Sequence, residues 1–83
     1  MGKLRVLLFA SARQAAGSAE TSLAFDEDRI DEEIFWARLL EKFPSLAPLR
    51  DSVRIARNRE YLAAGGDLLP GDEVALIPPV SGG

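Results

Sequence analysis

Residues 3–10 (KLRVLLFA) alternate with a period of two, placing Leu4, Val6, Leu8 and Ala10 on one face and Lys3, Arg5, Leu7 and Phe9 on the other. Large apolar residues at that spacing predict a half-buried strand. Residues 11–17 are rich in Ala and end in Gly17, which predicts a short helix or helical turn with a glycine stop. The period of two resumes over residues 20–25 (ETSLAF), where Thr21, Leu23 and Phe25 share a face and predict a second strand.

The clearest helical pattern covers residues 32–43. Asp31 is its expected N-cap, and Glu32 and Glu33 put negative charge in the first turn, where the helix dipole favours it. Ile30 and Phe35 have the spacing of a hydrophobic staple across that cap. At about 100° per residue, Phe35, Trp36, Leu39, Leu40 and Phe43 form one apolar stripe opposite Arg38, Glu41 and Lys42. Pro44 ends the helix, because its ring disfavours helical geometry at Phe43.

Beyond it, residues 45–52, with Pro48, predict a loop or short irregular helix. Residues 53–58 (VRIARN) and 60–62 predict two short strands around a turn at Asn58-Arg59, and residues 63–69, with Gly65-Gly66, a loop. Pro70-Gly71 suits the centre of a type II turn. Residues 73–78 (EVALIP) predict the last strand, and residues 79–83 a flexible tail. At 83 residues the chain holds one domain, expected over residues 1–78, with the tail over 79–83. One sheet with one main helix across a single face makes the fold class α+β.

That arrangement leaves the second face of the sheet without a helix. Leu7 and Phe9 point there by alternation; Val74 and Leu76 suit the core, so Ala75 and Ile77 share the open side. If the first and last strands are neighbours, these four residues form an exposed apolar patch, the mark of a partner surface.

Composition narrows the chemistry. The chain has no Cys and no His, which removes disulfides, thiolate metal sites, cysteine nucleophiles and the commonest general base. No metal site is therefore expected. With 10 Lys and Arg against 13 Asp and Glu, the net charge is −3, which argues against nucleic acid as the partner. No apolar run reaches the roughly 20 residues that cross a bilayer, and the N-terminal segment lacks a signal-peptide pattern. The expectation is a cytoplasmic protein without membrane association. The acidic clusters at residues 26–28 and 31–33 read as solvated, cap-forming carboxylates rather than paired catalytic acids, and Gly65-Gly66-Asp67 is too short for a nucleotide loop. The arginines at 50, 54, 57 and 59 read as solvated strand residues or as a rim contact with a partner.

The remaining reactive candidate is the C-terminal segment Ile77-Pro78-Pro79-Val80-Ser81-Gly82-Gly83. Two prolines keep the exit from the last strand extended. The six residues from Pro78 span at most roughly 20 Å, enough to enter another protein's active site. Glycines without Cβ pass a narrow channel, and a terminal carboxylate there is suited to activation by ATP as an acyl-adenylate.

Three segments carry a family likeness: LRVLLFASAR at residues 4–13, Asn58 with Glu60-Tyr61, and LLPGDEVALIPPVSGG at residues 68–83. With them the chain resembles the ubiquitin-like β-grasp family, whose fold has a mixed sheet, and within it the sulfur-carrier small subunits of molybdopterin synthase. The resemblance implies that an E1-like adenylating enzyme uses ATP to activate the Gly83 carboxylate, which a sulfur donor converts to a thiocarboxylate. The tail would then enter the synthase large subunit and give its sulfur to cyclic pyranopterin monophosphate, building the dithiolene that later holds molybdenum. The family assembly is a heterotetramer of two small and two large subunits. On that pattern Phe9, Arg13, Ile77, Pro78, Pro79, Val80 and Ser81 contact partners, while Gly82 and Gly83 lie in the active site. The small subunit would carry sulfur without being the catalyst and without binding a cofactor. Arg57 departs from the pattern, since related sequences often have an apolar residue there.

Other readings of the same fold are a sulfur carrier for thiamine synthesis or tRNA thiolation, a protein modifier joined through Gly83 to a lysine, and an interaction module with an inert tail. Thiamine carriers are typically shorter and usually lack both the segment 44–52 and the Pro-Pro pair, so these two features favour the molybdopterin reading.

Overall fold

In the computed structural model, which describes residues 2–79, the chain runs β1 (Gly2–Leu8), α1 (Ala10–Ala16), β2 (Glu20–Phe25), β3 (Ile30–Asp31), α2 (Glu32–Lys42), a 3-10 helix (Pro44–Leu49), β4 (Arg54–Arg57), β5 (Glu60–Tyr61), β6 (Asp67–Leu68) and β7 (Glu73–Ile77). The main sheet is ordered β2-β1-β7-β4-β5. β1 and β7 are parallel, with Val6 opposite Val74 and Leu7 opposite Ala75; β2 joins β1, and β4 joins β7, antiparallel. The α+β class agrees with the expectation from the pattern, and the mixed sheet with that from the β-grasp resemblance.

Alternation on these strands sends Leu4, Val6, Leu8, Leu23, Phe25, Ile55, Val74 and Leu76 into one buried core with Phe35, Trp36 and Leu39 of α2. Phe35 and Trp36 meet edge to face, their ring centroids 5.9 Å apart, the geometry that aromatic quadrupoles prefer. Asp31 caps α2 as expected: its Oδ1 accepts a hydrogen bond of 2.8 Å from the Ile34 N–H. Phe43 is the C-cap rather than the last helical residue. Pro44 then begins the 3-10 helix, which drives Leu46 fully into the core.

Ala10 departs from the alternation. It is exposed and has a φ of 50°, because pairing with β7 stops at Leu8 and the Ala12 N–H turns back onto the Phe9 carbonyl at 3.0 Å. Gly17 closes α1 in the left-handed region, φ 73°, where glycine is favoured. A second departure is the two-stranded ladder of β3 and β6, in which Ile30 opposes Leu68, both buried. Strands of two residues have no period to detect, so residues 67–68 read as loop.

The Pro70-Gly71 turn is as expected: Gly71 has a φ of 90°, and the Asp72 N–H donates to the Leu69 carbonyl at 3.1 Å. Asp72 itself is buried and collects three donors. Arg57 Nε lies at 2.6 Å, the Asn58 side-chain amide at 3.0 Å and the Leu69 N–H at 2.8 Å. Asn58 Oδ1 accepts from the Glu73 N–H at 2.9 Å. The unusual Arg57 thus answers a buried carboxylate. Burial opposes the charge on Asp72, yet the hydrogen bonds from Leu69, Asn58 and Arg57 outweigh it and hold the carboxyl below its ordinary range.

Two outcomes follow from this architecture. Leu76 is fully buried between β1 and β4, so Leu76→Ala should lower unfolding free energy by about 2–5 kcal/mol in urea titrations, much of a small domain's stability. The second concerns acid. A carboxyl whose folded value lies below its unfolded one stabilises the fold fully above the unfolded value, and this is lost as pH falls through the folded one. Glu27, hydrogen-bonded by Arg38 and lowered to about 2, acts in the same direction. Stability should therefore fall as pH drops below about 4, and Asp72→Asn should be weaker at neutral pH but less sensitive to acid. Equal pH slopes in wild type and variant would count against this role.

Candidate functional site

Parallel pairing of β1 with β7 brings Leu7 beside Ala75 on the face away from α2. Leu7, Phe9, Ala75 and Ile77 line a shallow groove of about 510 Å³, completed by Ala56, Arg59, Tyr61 and Glu73. The expected apolar patch is therefore present and concave. Phe9 is 48% and Tyr61 57% exposed, high values for aromatic rings of this size. Ala56 forms a flat floor at 5% exposure, since β4 pairs it with Ala75 on one side and Tyr61 on the other.

The groove's wall is built by the β4–β5 hairpin. Asn58 and Arg59 both have positive φ, 50° and 73°, the pair of left-handed residues that a two-residue type I′ hairpin needs. This turn sets Arg59 at the rim. Arg54, opposite Ile77 in the ladder, lies over the Tyr61 ring with its guanidinium carbon 4.0 Å from the centroid. On the β2 side, Arg5 is paired with Glu20 and reaches Glu73 at 3.5 Å. The hydrogen bond and charge of Glu20 raise the Arg5 pKa further above its ordinary value.

The residues singled out from sequence divide into three groups. Phe9 and Ile77 meet in the groove. Arg13 lies outside it, exposed on α1 one turn beyond Phe9, its N–H 3.4 Å from the Phe9 carbonyl. Pro78 is half-buried where the chain leaves β7, and Pro79 is exposed. Val80, Ser81, Gly82 and Gly83 lie outside the described residues. Tyr61 and Ala56 were not anticipated as groove residues, whereas Arg59 lies at the rim, one of the two places read for it from sequence. The alternation of VRIARN already put Arg54 and Ala56 on one face, but only the pairing of β4 with β7 shows that this is the open one.

Chemically the groove is an exposed apolar concavity. It offers an apolar floor, exposed aromatic edges and a charged rim, with no nucleophile set against a base. Among the described residues no group of three or more acidic side chains converges to hold a metal, and no helix is long and apolar enough to cross a membrane.

Comparison with known proteins agrees with this geometry. The ThiS family pattern matches residues 6–83. The molybdopterin synthase sulfur carrier subunit of Arabidopsis thaliana is 37% identical over 98% of this chain and 83% of its own length. That of Homo sapiens is 33% identical over 98% of this chain and 94% of its own. The crystal structure of SAMP1 from Haloferax volcanii superposes with a TM-score of 0.84 at 31% identity, covering 99% of this chain and 100% of that one. A chain from the complex of subunits 1 and 2 of the Helicobacter pylori molybdopterin-converting factor shares the fold, with a TM-score of 0.65 at 21% identity over 98% of this chain and 99% of that one. The chain belongs to the ThiS family, among the molybdopterin synthase sulfur carrier subunits.

Proposed function

We propose that this protein carries sulfur on the carboxyl group of Gly83 for molybdopterin synthesis. The observation that carries the reading is the exposed apolar groove at the root of the Pro-Pro-Val-Ser-Gly-Gly segment. A partner seated there receives the tail in its own active site.

The chemistry proceeds in three steps. The Gly83 carboxylate attacks the α-phosphorus of ATP within an E1-like adenylating enzyme, forming the acyl-adenylate and releasing pyrophosphate. A sulfide-level donor displaces AMP and leaves a thiocarboxylate. Within the synthase large subunit the thiocarboxylate sulfur attacks an oxygen-bearing carbon of cyclic pyranopterin monophosphate, the C–O bond breaks and its oxygen leaves, and water then cleaves the resulting acyl–sulfur bond, leaving sulfur on the pterin and returning the Gly83 carboxylate. The dithiolene needs two sulfurs, so the carrier acts twice per product, in an assembly of two small and two large subunits.

This division of labour suits the chain. Without Cys or His, it has no side chain to hold the sulfur and little to offer as an acid or base at neutral pH. It serves as a carrier, not as the catalyst, and needs no resident cofactor or metal; the ATP belongs to the activating enzyme. Phe9, Arg13, Ile77, Pro78, Pro79, Val80 and Ser81 dock, and Gly82 and Gly83 enter the active site. The proposed setting is the cytoplasm.

A second use of the same adenylate, joining Gly83 to a lysine, is supported by the likeness to the small archaeal modifier protein 1 of Haloferax volcanii. Intact mass separates the two. With the cognate activating enzyme, ATP and sulfide, replacement of one carboxyl oxygen by sulfur adds about 16 Da at Gly83; a lysine-linked conjugate in place of that gain would favour the modifier, and no gain with a competent enzyme would overturn the carrier. Gly83→Ala should fold normally and lose most sulfur transfer, since a methyl group crowds a channel sized for glycine. Phe9→Arg should keep the fold and weaken large-subunit binding by roughly tenfold or more, as loss of an exposed aromatic anchor does. Calorimetric titration checks it.

A further inference from the structure

The eight arginines of this acidic chain are not distributed at random. Arg5, Arg29, Arg38, Arg50 and Arg57 each pair with a carboxylate of the chain itself. Arg13, Arg54 and Arg59 have no carboxylate partner among the described residues, and the last two lie at the apolar groove. Arg59 lines it, Arg54 sits on the Tyr61 ring that lines it, and Arg13 follows Phe9 on α1. Of the five paired arginines, only Arg5, which reaches Glu73 on the rim, has its partner at the groove, whereas Arg54 and Arg59 stand there without one.

We propose that Arg54 and Arg59 are specificity-determining cations of the docking face, each meeting an acidic side chain on the large subunit at the rim of its apolar contact. The proposal rests on the sulfur-carrier reading above, whose relatives are named as subunits and so have a standing partner. Arg54 is the better placed of the two. It stands opposite Ile77, the last strand residue before the tail, so a carboxylate bound there fixes the direction in which the tail departs. Stacking on Tyr61 leaves the in-plane N–H edge of the guanidinium free to grip both oxygens of one carboxylate while restricting its rotamers. Tyr61 is thereby a positioning residue. Arg59 is held by backbone instead, at the tip of a turn whose φ values allow few alternatives. An apolar centre with a charged rim is the usual division at such interfaces: the centre supplies affinity, and the rim sets orientation, association rate and the rejection of wrong partners.

The test titrates the full chain with its purified large subunit over a salt series from about 50 to about 300 mM, across which rim charges become screened. R54E and R59E should each weaken binding by about tenfold at low salt, chiefly through slower association, and flatten the salt dependence. Tyr61→Phe should bind as wild type, and Tyr61→Leu, which stays apolar but loses the stack, should lose affinity with Arg54 present and lose little more in the R54E background. R50E supplies the control, because it makes the same charge change at a residue paired with Glu33 at 3.7 Å, away from the groove. Circular dichroism confirms that each variant folds. Wild-type affinity and salt slope in R54E and R59E, or losses matched by R50E, would overturn the proposal. So would normal large-subunit binding alongside slowed adenylation of Gly83, which would assign these cations to the activating enzyme. Absence of binding by the wild-type chain itself would instead bring down the sulfur-carrier reading, and this proposal with it.

Discussion

The parallel pairing of β1 with β7 is the constraint on which the molecule depends. It joins the segment near the start of the chain to the segment just before the tail, with Val6 against Val74 and Leu7 against Ala75. Because side chains alternate, this one register settles both faces at once. Val6, Leu8, Val74 and Leu76 go under α2, while Leu7, Ala75 and Ile77 go to the open side. A slip of one residue would exchange the two sets, exposing the core and burying the groove. The core therefore fixes the composition of the open groove.

The third wall of the groove depends on a polar interaction rather than an apolar one. β4 must lie beside β7 for Ala56 and Tyr61 to complete the surface, yet β4 has only four residues and β5 two. Asp72, at the end of the Pro70-Gly71 turn, gathers Arg57 and Asn58 from the hairpin and the Leu69 N–H from its own turn. Three donors on one carboxylate satisfy a group whose burial alone would be costly. They also tie the hairpin to the start of β7, so the strand leading to the tail is fixed at its root. An apolar contact at that edge would supply less direction, since it does not select a single geometry.

The strong periods were readable without coordinates. Eleven residues of α2, with a cap, a stripe and a proline stop, announce themselves locally, and the alternation in β1 and β7 divides core from open face. Where reading failed, the determinants were non-local. Ala10 continues the alternation of KLRVLLFA, but hydrogen bonding to β7 ends at Leu8 and the backbone turns into α1. β3 and β6 are only two residues each and exist because Ile30 and Leu68 need the same patch of core. Tyr61 reads as a strand aromatic until β4 is known to flank β7 on its open side. Arg57 looks out of place in a strand until Asp72, fifteen positions later, is brought within hydrogen-bond reach. Pattern reports what a residue needs, whereas topology decides which neighbour satisfies it.

On the sulfur-carrier reading, docking and chemistry are physically separate. The reacting group must enter a partner's active site, so it belongs at the end of a segment thin enough to pass into one. The affinity belongs on the rigid sheet behind it. Prolines at 78 and 79 link the two parts, their restricted φ favouring an extended exit from β7. An acidic body, net −3, with Arg54 and Arg59 at the groove unpaired with any carboxylate among the described residues, has an orienting asymmetry as well. A net negative charge disfavours acidic partner surfaces at long range, and unpaired arginines beside the groove locally offset that repulsion.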